Sequence, residues 1–490
     1  MIIWGISANS HDAAISVVRD SNILFASQSE RYSKIKNDAH LHVDLIRDAM
    51  THGIPELVVW YENPLLKTAR QFIAGQGIRL FENYIKGYLK SYNITAPIEY
   101  VGHHHAHAAG GYFTSPFVRT TNEAAVLVID AIGEFDTTTI WHGQGNTLTK
   151  KHSIRYPHSL GLWYSAMTQR VGLKPNEEEY ILMGMAAYGD PLKYSASIIE
   201  DFFVTTKLLK LQNNLHQGCS WWRPELQSEQ EYYDIAAATQ FVYELYLHDL
   251  LDEAKKITKS ENLVLAGGCA LNCVANNIAF QYFNNVWIMP NPGDAGNSLG
   301  AVAAHIREPL NWITPYLGHN IEGDYPTEHL VEILKEKKIV GIANGRAEFG
   351  PRALGHRSLL ADPRKGHMIK DRVNEIKRRQ NFRPFSPAIL EECASEYFHM
   401  PTPETPYMQY TAQCKFPDKF PAIVHHDGTS RVQTVSEYNS PQFYKFLKLW
   451  YEETGCPMVL NTSLNIKGKP MVNDRRDANE FAVKYNVPVL

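Results

Sequence analysis

Cysteine is scarce: six in 490 residues, at Cys219, Cys269, Cys273, Cys393, Cys414 and Cys456. None stand in a CxxC pair, which argues against zinc ribbons and thioredoxin-like redox motifs. So thin a set is no disulfide framework. Long hydrophobic runs are missing too: no stretch approaches ~20 uninterrupted apolar residues, so no membrane span is expected. The opening MIIWGISANSHDAAISVV has no basic n-region and reads as a first strand, not a signal peptide. Charge of one sign is also lacking. At a net charge of −4 the molecule is not a polycation built to coat nucleic acid, although a local basic groove is compatible with it. Low-complexity segments are absent. The expectation is a soluble cytoplasmic protein of two or more domains, with 44% apolar and 20% charged residues.

What is present is a recurrence of strand, Gly-rich turn and helix. MIIWGIS, AAISVVRD and ILFASQSE read as three strands, by period-two patterning and β-branched content. EAAVLVID (123–130) is a buried strand ending on an acid, and TTTIWHG (137–143) is the next strand. ENLVLAGGCALNCVANNIAF (261–280) reads as strand, Gly turn and helix. VWIMP reads as a strand and NSLGAVAAHI (297–306) as a helix. This order occurs twice and predicts an α/β domain of two similar halves. The Pro-, Gly- and Asn-rich stretch 307–326 marks a domain boundary. Beyond it, a helix near TEHLVEILKEKK, a strand IVGIANG, the segment PMVLNTSLNIKGKP and a final short helix complete the chain.

Four groups of residues carry candidate chemistry. In GHHHAHAAGGYF (102–113), His103 and His107 stand at i and i+4, so on a helix both imidazoles share one face at metal-ligand spacing. His104 and His105 would point elsewhere. Asp130, ending a strand, and Asp294, in NPGDAGNS, are acids suited to complete such a set, although either could be a plain turn or capping Asp. LAGGCALN (265–272) brings Gly-Gly between strand and helix, where backbone N–H groups can approach a phosphate. His11 and Asp12 follow the first strand, where α/β folds present catalytic groups, and Lys36 downstream could reach a phosphate. Finally, residues 348–364 hold Arg352, Arg357 and Arg364 among Gly and Pro, which suggests that all three await an anion. From Asp362 to Arg383 there are eight Lys/Arg against three Asp/Glu. NFRPF fixes Arg383 between aromatics, and Arg431 is a further candidate. Fork-shaped guanidinium donors in Gly/Pro turns suit a small phosphorylated ligand.

With HDAAISVVRD, SERYSKIKND, HHHAHAAGGYFTSPF, PHSLGLWYSAMT, LAGGCALNCVANN, PGDAGNSLGA, GRAEFGPRALGHRSLLADPR, NFRPFSPAILEE, HHDGTSRVQTV and LNTSLN in register along nearly the whole chain, the sequence resembles the O-carbamoyltransferases of nodulation and antibiotic tailoring. It departs from their pattern at Ala131, Ile181 and Gln380. The resemblance implies an α/β fold. Its N-terminal part would be a duplicated ASKHA (actin/Hsp70/Kae1-like) domain over residues 1–315, and its C-terminal part a YrdC-like α/β domain over residues 325–490.

The implied chemistry is O-carbamoyl transfer. Carbamoyl phosphate is cleaved to carbamate, carbamate and ATP form carbamoyl adenylate and pyrophosphate, and an acceptor hydroxyl attacks the adenylate. By resemblance, Arg352, Lys377, Arg383 and Arg431 hold carbamoyl phosphate, and Gly267, Gly268 and Asn272 line the nucleotide. His103, His107 and Asp294 bind a divalent metal with Asp130 as a fourth group. His11 is the base for the acceptor, Asp12 orients it, and Lys36 lies near the phosphates. Mixed N/O donors suit Fe(II), Mn(II) or Zn(II) better than Ca(II), and Mg(II) also stays open. The expected partners are carbamoyl phosphate, ATP and a hydroxyl acceptor, and a homodimer is left open. The acceptor is a small molecule or sugar, or a 5-hydroxymethylpyrimidine such as 5-hydroxymethylcytosine in DNA, since relatives occur in phage genomes. The KKHSIRYPH stretch (150–158) would be a basic rim for DNA, or a solvated loop. The competing readings are a tRNA threonylcarbamoyl-type enzyme, a hydrogenase-maturation carbamoylase and a non-catalytic ATPase switch.

Overall fold

The computed structural model describes residues 1–490 apart from Ile78, Thr206, Leu208, Asn381 and Pro384. The chain forms two compact units. One holds residues 1–29 and 37–312, the other residues 30–36 and 313–490. The segment Glu30–Lys36 therefore belongs with the C-terminal part of the chain, although it follows the third strand.

The first unit is built on two five-stranded sheets of the same topology. β1 (Ile2–Ser7), β2 (Ala14–Arg19), β3 (Asn22–Gln28), β4 (Leu57–Trp60) and β5 (Ile98–Tyr100) run in the order β3-β2-β1-β4-β5. The β1–β2 and β2–β3 pairs are antiparallel, and the β1–β4 and β4–β5 pairs are parallel. The second sheet repeats this with β6 (Glu123–Ile129), β7 (Asp136–Gln144), β8 (Thr147–Arg155), β9 (Asn262–Ala266) and β10 (Asn285–Trp287), in the order β8-β7-β6-β9-β10. Again two antiparallel pairs precede two parallel ones. This is the duplicated α/β arrangement that the recurrence in the sequence predicts.

The continuous apolar runs explain the central strands. β4, β6 and β9 are buried along almost their whole length, so their residues face cover on both sides of the sheet. Two helices, His103–Thr114 and Asn297–Ile306, cross where small residues let their backbones meet. A Cβ on Gly300 would lie 2.1 Å from the Ala106 carbonyl oxygen, and one on Gly110 would lie 3.0 Å from the Gly300 Cα. A side chain at either position would force the helices apart.

Two expectations for this unit need correction. Residues after the Gly-Gly turn form two short 3-10 turns, Gly268–Leu271 and Ala275–Gln281, not one α-helix. The KKHSIR stretch is not a loop but strand β8. Its Lys150 Nζ pairs with Asp136 Oδ2 at 2.9 Å, and Arg155 Nε lies 3.5 Å from Asp136 Oδ1, so part of the supposed basic rim is already neutralised.

The second unit centres on a sheet in the order β12-β14-β20-β15-β19. The strands of this unit are β11 (Tyr316–Ile321), β12 (Ile339–Ala343), β13 (Gly345–Glu348), β14 (Arg357–Ala361), β15 (Ser386–Leu390), β16 (Phe398–His399), β17 (Thr411–Cys414), β18 (Thr429–Arg431), β19 (Gln433–Val435) and β20 (Met458–Ser463). β11 pairs with β13, and β16, β17 and β18 form a small antiparallel sheet. Two apolar cores cover the central sheet. One gathers Leu330, Leu334, Phe446 and Trp450 from the helices Thr327–Lys337 and Pro441–Thr454. The other gathers Ile369, Val373, Ile376 and Phe481 from the helices Gly366–Lys377 and Arg475–Tyr485. Among the described residues, no helix is long and apolar enough to cross a membrane.

Candidate functional site

The His-rich helix begins at His103, with Gly102 as its N-cap. Gly102 has no side chain to cap the helix, and Glu134 does this work instead. Both Glu134 carboxylate oxygens accept the His103 amide at 3.1 Å, and Oε1 also accepts the Asn63 amide at 2.7 Å. A carboxylate at a helix N-terminus is favoured by the helix dipole. It fixes the first turn, and with it the direction of the imidazoles.

Helical spacing then brings His103 and His107 to one face, as the i, i+4 pattern requires. Their Nε2 atoms lie 3.2 Å apart. His103 Nε2 is 3.1 Å from Asp130 Oδ2 and 3.3 Å from Asp294 Oδ1, and His107 Nε2 is 3.2 Å from Asp294 Oδ1. One donor atom from each of these four buried residues lies within 4.8 Å of every other. Asp130 follows β6 directly, and Asp294 stands in the turn ahead of the Asn297–Ile306 helix. Residues far apart in the chain thus converge because the two crossing helices and β6 share one corner of the unit.

The electrostatics of the cluster are reciprocal. Burial works against charge on His103, but Asp294 and Asp130 outweigh it and hold its proton affinity well above the ordinary imidazole range. Burial likewise opposes charge on Asp130 and Asp294, yet the histidines keep both carboxyls below the usual range. Two imidazole nitrogens aimed at each other at this distance repel unless a proton or a cation lies between them. A pair of imidazoles with two carboxylates is a donor set that fits a divalent transition metal.

His104 and His105 point away from the cluster, as expected. His104 Nδ1 bonds the Thr139 hydroxyl at 2.9 Å, and its own burial, with His103 nearby, pushes it down to about 3. His105 stacks on Trp141, with ring centroids 5.3 Å apart.

His11 reaches the same cluster from the β1–β2 turn. Its Nδ1 lies 2.9 Å from Asp12 Oδ2, and its Nε2 lies 3.4 Å from Asp294 Oδ2. Desolvation opposes its charge, but Asp294 and Asp12 overcome this and push it up to about 10. The turn is conformationally demanding, since Asn9 and Asp12 both have left-handed φ, at 66° and 55°. Lys67 fastens it from below. Its Nζ donates to the Asn9 carbonyl at 3.1 Å, to Ser10 Oγ at 2.8 Å and to Glu62 Oε1 at 2.5 Å. Lys67 and Glu62 are both buried. Sequence reasoning missed Lys67, Glu62 and Glu134, because no local motif announces a contact made so far along the chain.

The Gly-Gly turn lies beside the cluster. Gly267 has φ +87°, and a Cβ there would sit 2.2 Å from the Ile129 carbonyl oxygen, so only glycine fits. The Gly268 amide donates to Asp130 Oδ1 at 3.0 Å, which orients that carboxylate. Asn272 is engaged by Gln240, with bonds of 3.0 and 3.2 Å, and its Oδ1 accepts the Ala275 amide at 3.1 Å.

Lys36 is expected near the phosphates, with His11 and Asp12 as the acceptor's base and its orienting group. It belongs to the second unit, where its charge acts on Lys377. Lys377 ends the Gly366–Lys377 helix and is buried. Its ammonium donates to the Ser463 carbonyl at 2.6 Å, to Ser463 Oγ at 3.2 Å, and to the Asn465 side chain. These are neutral oxygens. Burial, followed by Arg379, Arg383 and Lys36, drives its proton affinity well below the usual lysine range. Arg431 Nε donates to Ser386 Oγ at 3.1 Å. Arg352 sits in the β13–β14 turn, which Asn461 and Gln433 hold through the carbonyls of Ala353 and Leu354, at 3.1 Å each. Asn461 stands on β20 two residues before Ser463. Of the NFRPF stretch expected to fix Arg383 between aromatics, Asn381 and Pro384 lie outside the described residues.

Two of the three arginines in residues 348–364 await no anion. Arg357 is fully buried and donates to five backbone carbonyls, those of Asn473, Asn344, His356, His319 and Gly345, at 2.9–3.2 Å. It is a structural tie. Arg364 forms a bidentate pair with Asp362, with both contacts at 2.8 Å, and its guanidinium lies over Trp450.

Comparison with known proteins now places the chain. Family models match residues 61–303 as Carbamoyltransferase N-terminus and residues 331–490 as Carbamoyltransferase C-terminus. An uncharacterised protein of Synechocystis is 34% identical, covering 97% of this chain and 93% of that one. Nodulation protein U of Bradyrhizobium diazoefficiens is 30% identical, over 98% of this chain and 95% of that protein. Full-length HypF in its phosphate- and nucleotide-bound form aligns with 62% of this chain and 46% of its own, at 14% identity and a TM-score of 0.34, too weak a likeness to carry an inference. The chain belongs to the carbamoyltransferase family, and it is an enzyme of that class.

Proposed function

We propose that this enzyme makes carbamoyl adenylate from carbamoyl phosphate and ATP and passes the carbamoyl group to an acceptor hydroxyl. The first unit is read as the Kae1-like transfer domain and the second as the YrdC-like carbamoyl phosphate domain. The observation that carries the reading is the buried His103–His107–Asp130–Asp294 cluster with His11 at its edge, in a chain of the carbamoyltransferase family.

The cation cluster of the second unit supports the first step. Lys377 faces neutral oxygens and like charges, an arrangement that an anion would relieve. Carbamoyl phosphate is such an anion, and Arg352, Lys377, Arg383 and Arg431 are its proposed ligands, with Lys36 beside them. In the first unit the turn at Gly267 and Gly268 lines the nucleotide, while Asn272 shapes the wall behind it. A divalent cation on His103, His107, Asp130 and Asp294 would neutralise nucleotide phosphate charge and, by drawing on Asp294, weaken the field that keeps His11 protonated. Iron(II), manganese(II) or zinc(II) suits these donors. His11 Nε2 then takes the proton of the acceptor hydroxyl, with Asp12 holding Nδ1–H, and AMP leaves as the oxygen–carbonyl bond forms.

The test is mass spectrometry of acceptors incubated with enzyme, ATP and carbamoyl phosphate. One arm contains DNA bearing 5-hydroxymethylcytosine or 5-hydroxymethyluracil, and the other contains sugars and aminoglycosides. A carbamoyl mass gain in either arm identifies the acceptor class. Absence of carbamoyl phosphate-dependent pyrophosphate release would sink the adenylate route.

A further inference from the structure

The helix Pro64–Ile73 is turned inside out. It buries Lys67, Thr68, Arg70 and Gln71 and exposes Leu65, Leu66, Phe72 and Ile73. Three of the four buried side chains are matched. Lys67 holds Glu62 and the His11 turn, and Asn83 Nδ2 donates to Thr68 Oγ1 at 2.7 Å and to Gln71 Oε1 at 2.8 Å. Arg70, 8% exposed, is not matched. Its guanidinium has no ion pair among the described residues. Its one hydrogen bond there runs from Nη1 to Gln76 Oε1 at 3.1 Å, and Nε is buried without a partner. The carboxylates whose field it feels are engaged elsewhere, Glu62 with Lys67 and Glu134 with the amides of His103 and Asn63.

The hydrogen bonds around Arg70 run in one direction. A guanidinium only donates, so Gln76 turns its Oε1 to Arg70 and its NH2 to His216, whose Nε2 lies 2.7 Å away. His216 Nε2 therefore accepts, and the ring proton sits on Nδ1. That Nδ1 is itself buried without a partner among the described residues. Burial and the Arg70 charge both hold His216 below the ordinary imidazole range, in keeping with a neutral ring. Tyr156 stands edge-on to His216, with ring centroids 6.2 Å apart, and its hydroxyl accepts from Asn214, which leaves its own proton to donate. The cluster thus offers N–H and O–H donors beside one positive charge. Gln76, Tyr156 and His216 are half-buried and Asn214 is exposed, so a ligand reaches the cluster from solvent. Buried donors without acceptors are costly, and an oxyanion relieves them.

We propose that Arg70, Gln76, His216 and Tyr156 form an anchoring subsite for an oxyanion, a phosphate or carboxylate group, that the acceptor carries away from its reacting hydroxyl. This inference rests on the reading given above, in which the acceptor hydroxyl reacts at His11. Lys67 and Arg70 stand at i and i+3, so both project from the buried side of one helix. Lys67 fastens the turn that carries His11, and Arg70 lies one helical turn farther along, at the Gln76–His216 cluster. An acceptor gripped by its anion at Arg70 extends back along this helix toward His11. The subsite also sets a preference. A sugar phosphate or a nucleotide fits it, and a polycationic aminoglycoside does not.

The experiment has two readouts. Magnetic resonance of enzyme carrying nitrogen-labelled histidine follows the His216 Nδ1 signal, assigned by its loss in His216→Gln, as methyl phosphate or acetate is added. The expected result is a shift in the wild type that is absent in Arg70→Gln, and the tighter of the two probes tells phosphate from carboxylate. No shift in the wild type, or the same shift in the variant, overturns the site. Transfer kinetics then compare acceptors with and without phosphate: 5-hydroxymethyldeoxycytidine against its monophosphate and a short oligonucleotide, and glucose against glucose 6-phosphate. In the wild type the phosphorylated member should lead by about tenfold or more in kcat/KM, and in Arg70→Gln that ratio should fall to about one, whatever the absolute rates. A wild type without this preference, or a ratio that survives the substitution, overturns the acceptor role. If Arg70→Gln fails to fold by circular dichroism, Arg70→Lys, which keeps the charge but loses the Nε–H, is read on the same signal and the same ratio. The His216 signal needs no turnover. A wild type that responds to methyl phosphate yet releases no pyrophosphate from carbamoyl phosphate and ATP therefore breaks the adenylate reading and leaves the anion site standing.

Discussion

In the first unit, two imidazoles and two carboxylates face one another, and each side raises or lowers the other's proton affinity until the charges balance. In the second, a buried lysine lies near three cations, and its hydrogen bonds among the described residues go to neutral oxygens. The first cluster can hold itself together with protons when nothing is bound. The second places its lysine among like charges, as the proposed carbamoyl phosphate site requires. A balanced buried cluster is suited to exchange a proton for a metal, while an unbalanced one is suited to draw a phosphate out of water.

The comparison can be broken most sharply at the first cluster. His103→Ala is expected to lose the metal and to lower turnover on the order of 10³-fold, while carbamoyl phosphate binding survives. Metal content and turnover measured on the same preparation check this, and full metal occupancy in the variant would refute the ligand set. The converse substitution, Arg352→Ala, should lower carbamoyl phosphate-dependent turnover by ~10²–10³-fold and leave metal content intact. Between these extremes lies Lys67→Met, which frees the His11 turn. Transfer to the acceptor should fall by about 10²-fold, pyrophosphate release should persist, and Lys67→Arg should restore part of the transfer. Equal loss in both steps would make Lys67 a merely structural residue.

Smaller effects sharpen the contrast. Inorganic phosphate should stabilise the wild type, by about 2.7 kcal/mol at a hundredfold excess over its Kd, and should not stabilise Lys377→Met. Thermal melts with and without phosphate decide this. By contrast, Arg364→Ala should be felt in stability alone: it strips the fully buried Asp362 carboxylate of its charged partner, at a cost of about 3 kcal/mol, and it should leave KM for carbamoyl phosphate unchanged. A large rise in KM would return Arg364 to the anion site.

Elements built from continuous apolar runs could be read in advance. EAAVLVI and NLVLA are buried strands, and NSLGAVAAHI is the helix Asn297–Ile306 to the residue. The spacing of His103 and His107 gave their shared face, since helical geometry alone settles it. The arginines were harder. A dense local motif says that guanidiniums are present but not where they point, and Arg357 lies within β14 with its donors on backbone carbonyls from four separate stretches of chain. Lys67 and Glu134 act through loops remote in sequence, so nothing near them in the chain could have flagged them.

Residues 30–36 visit the second unit long before the chain reaches the rest of it. They bring Arg31 to the Gly350 carbonyl and Lys34 to Asp477. The enzyme is therefore not a head-to-tail fusion that can be divided at one point. A gene cut between Trp312 and Ile313 would leave the downstream fragment without these partners and the upstream fragment with an orphaned loop. Shuffling of the two halves between relatives, in the laboratory or in evolution, must carry this short early segment along with the late half to which it belongs.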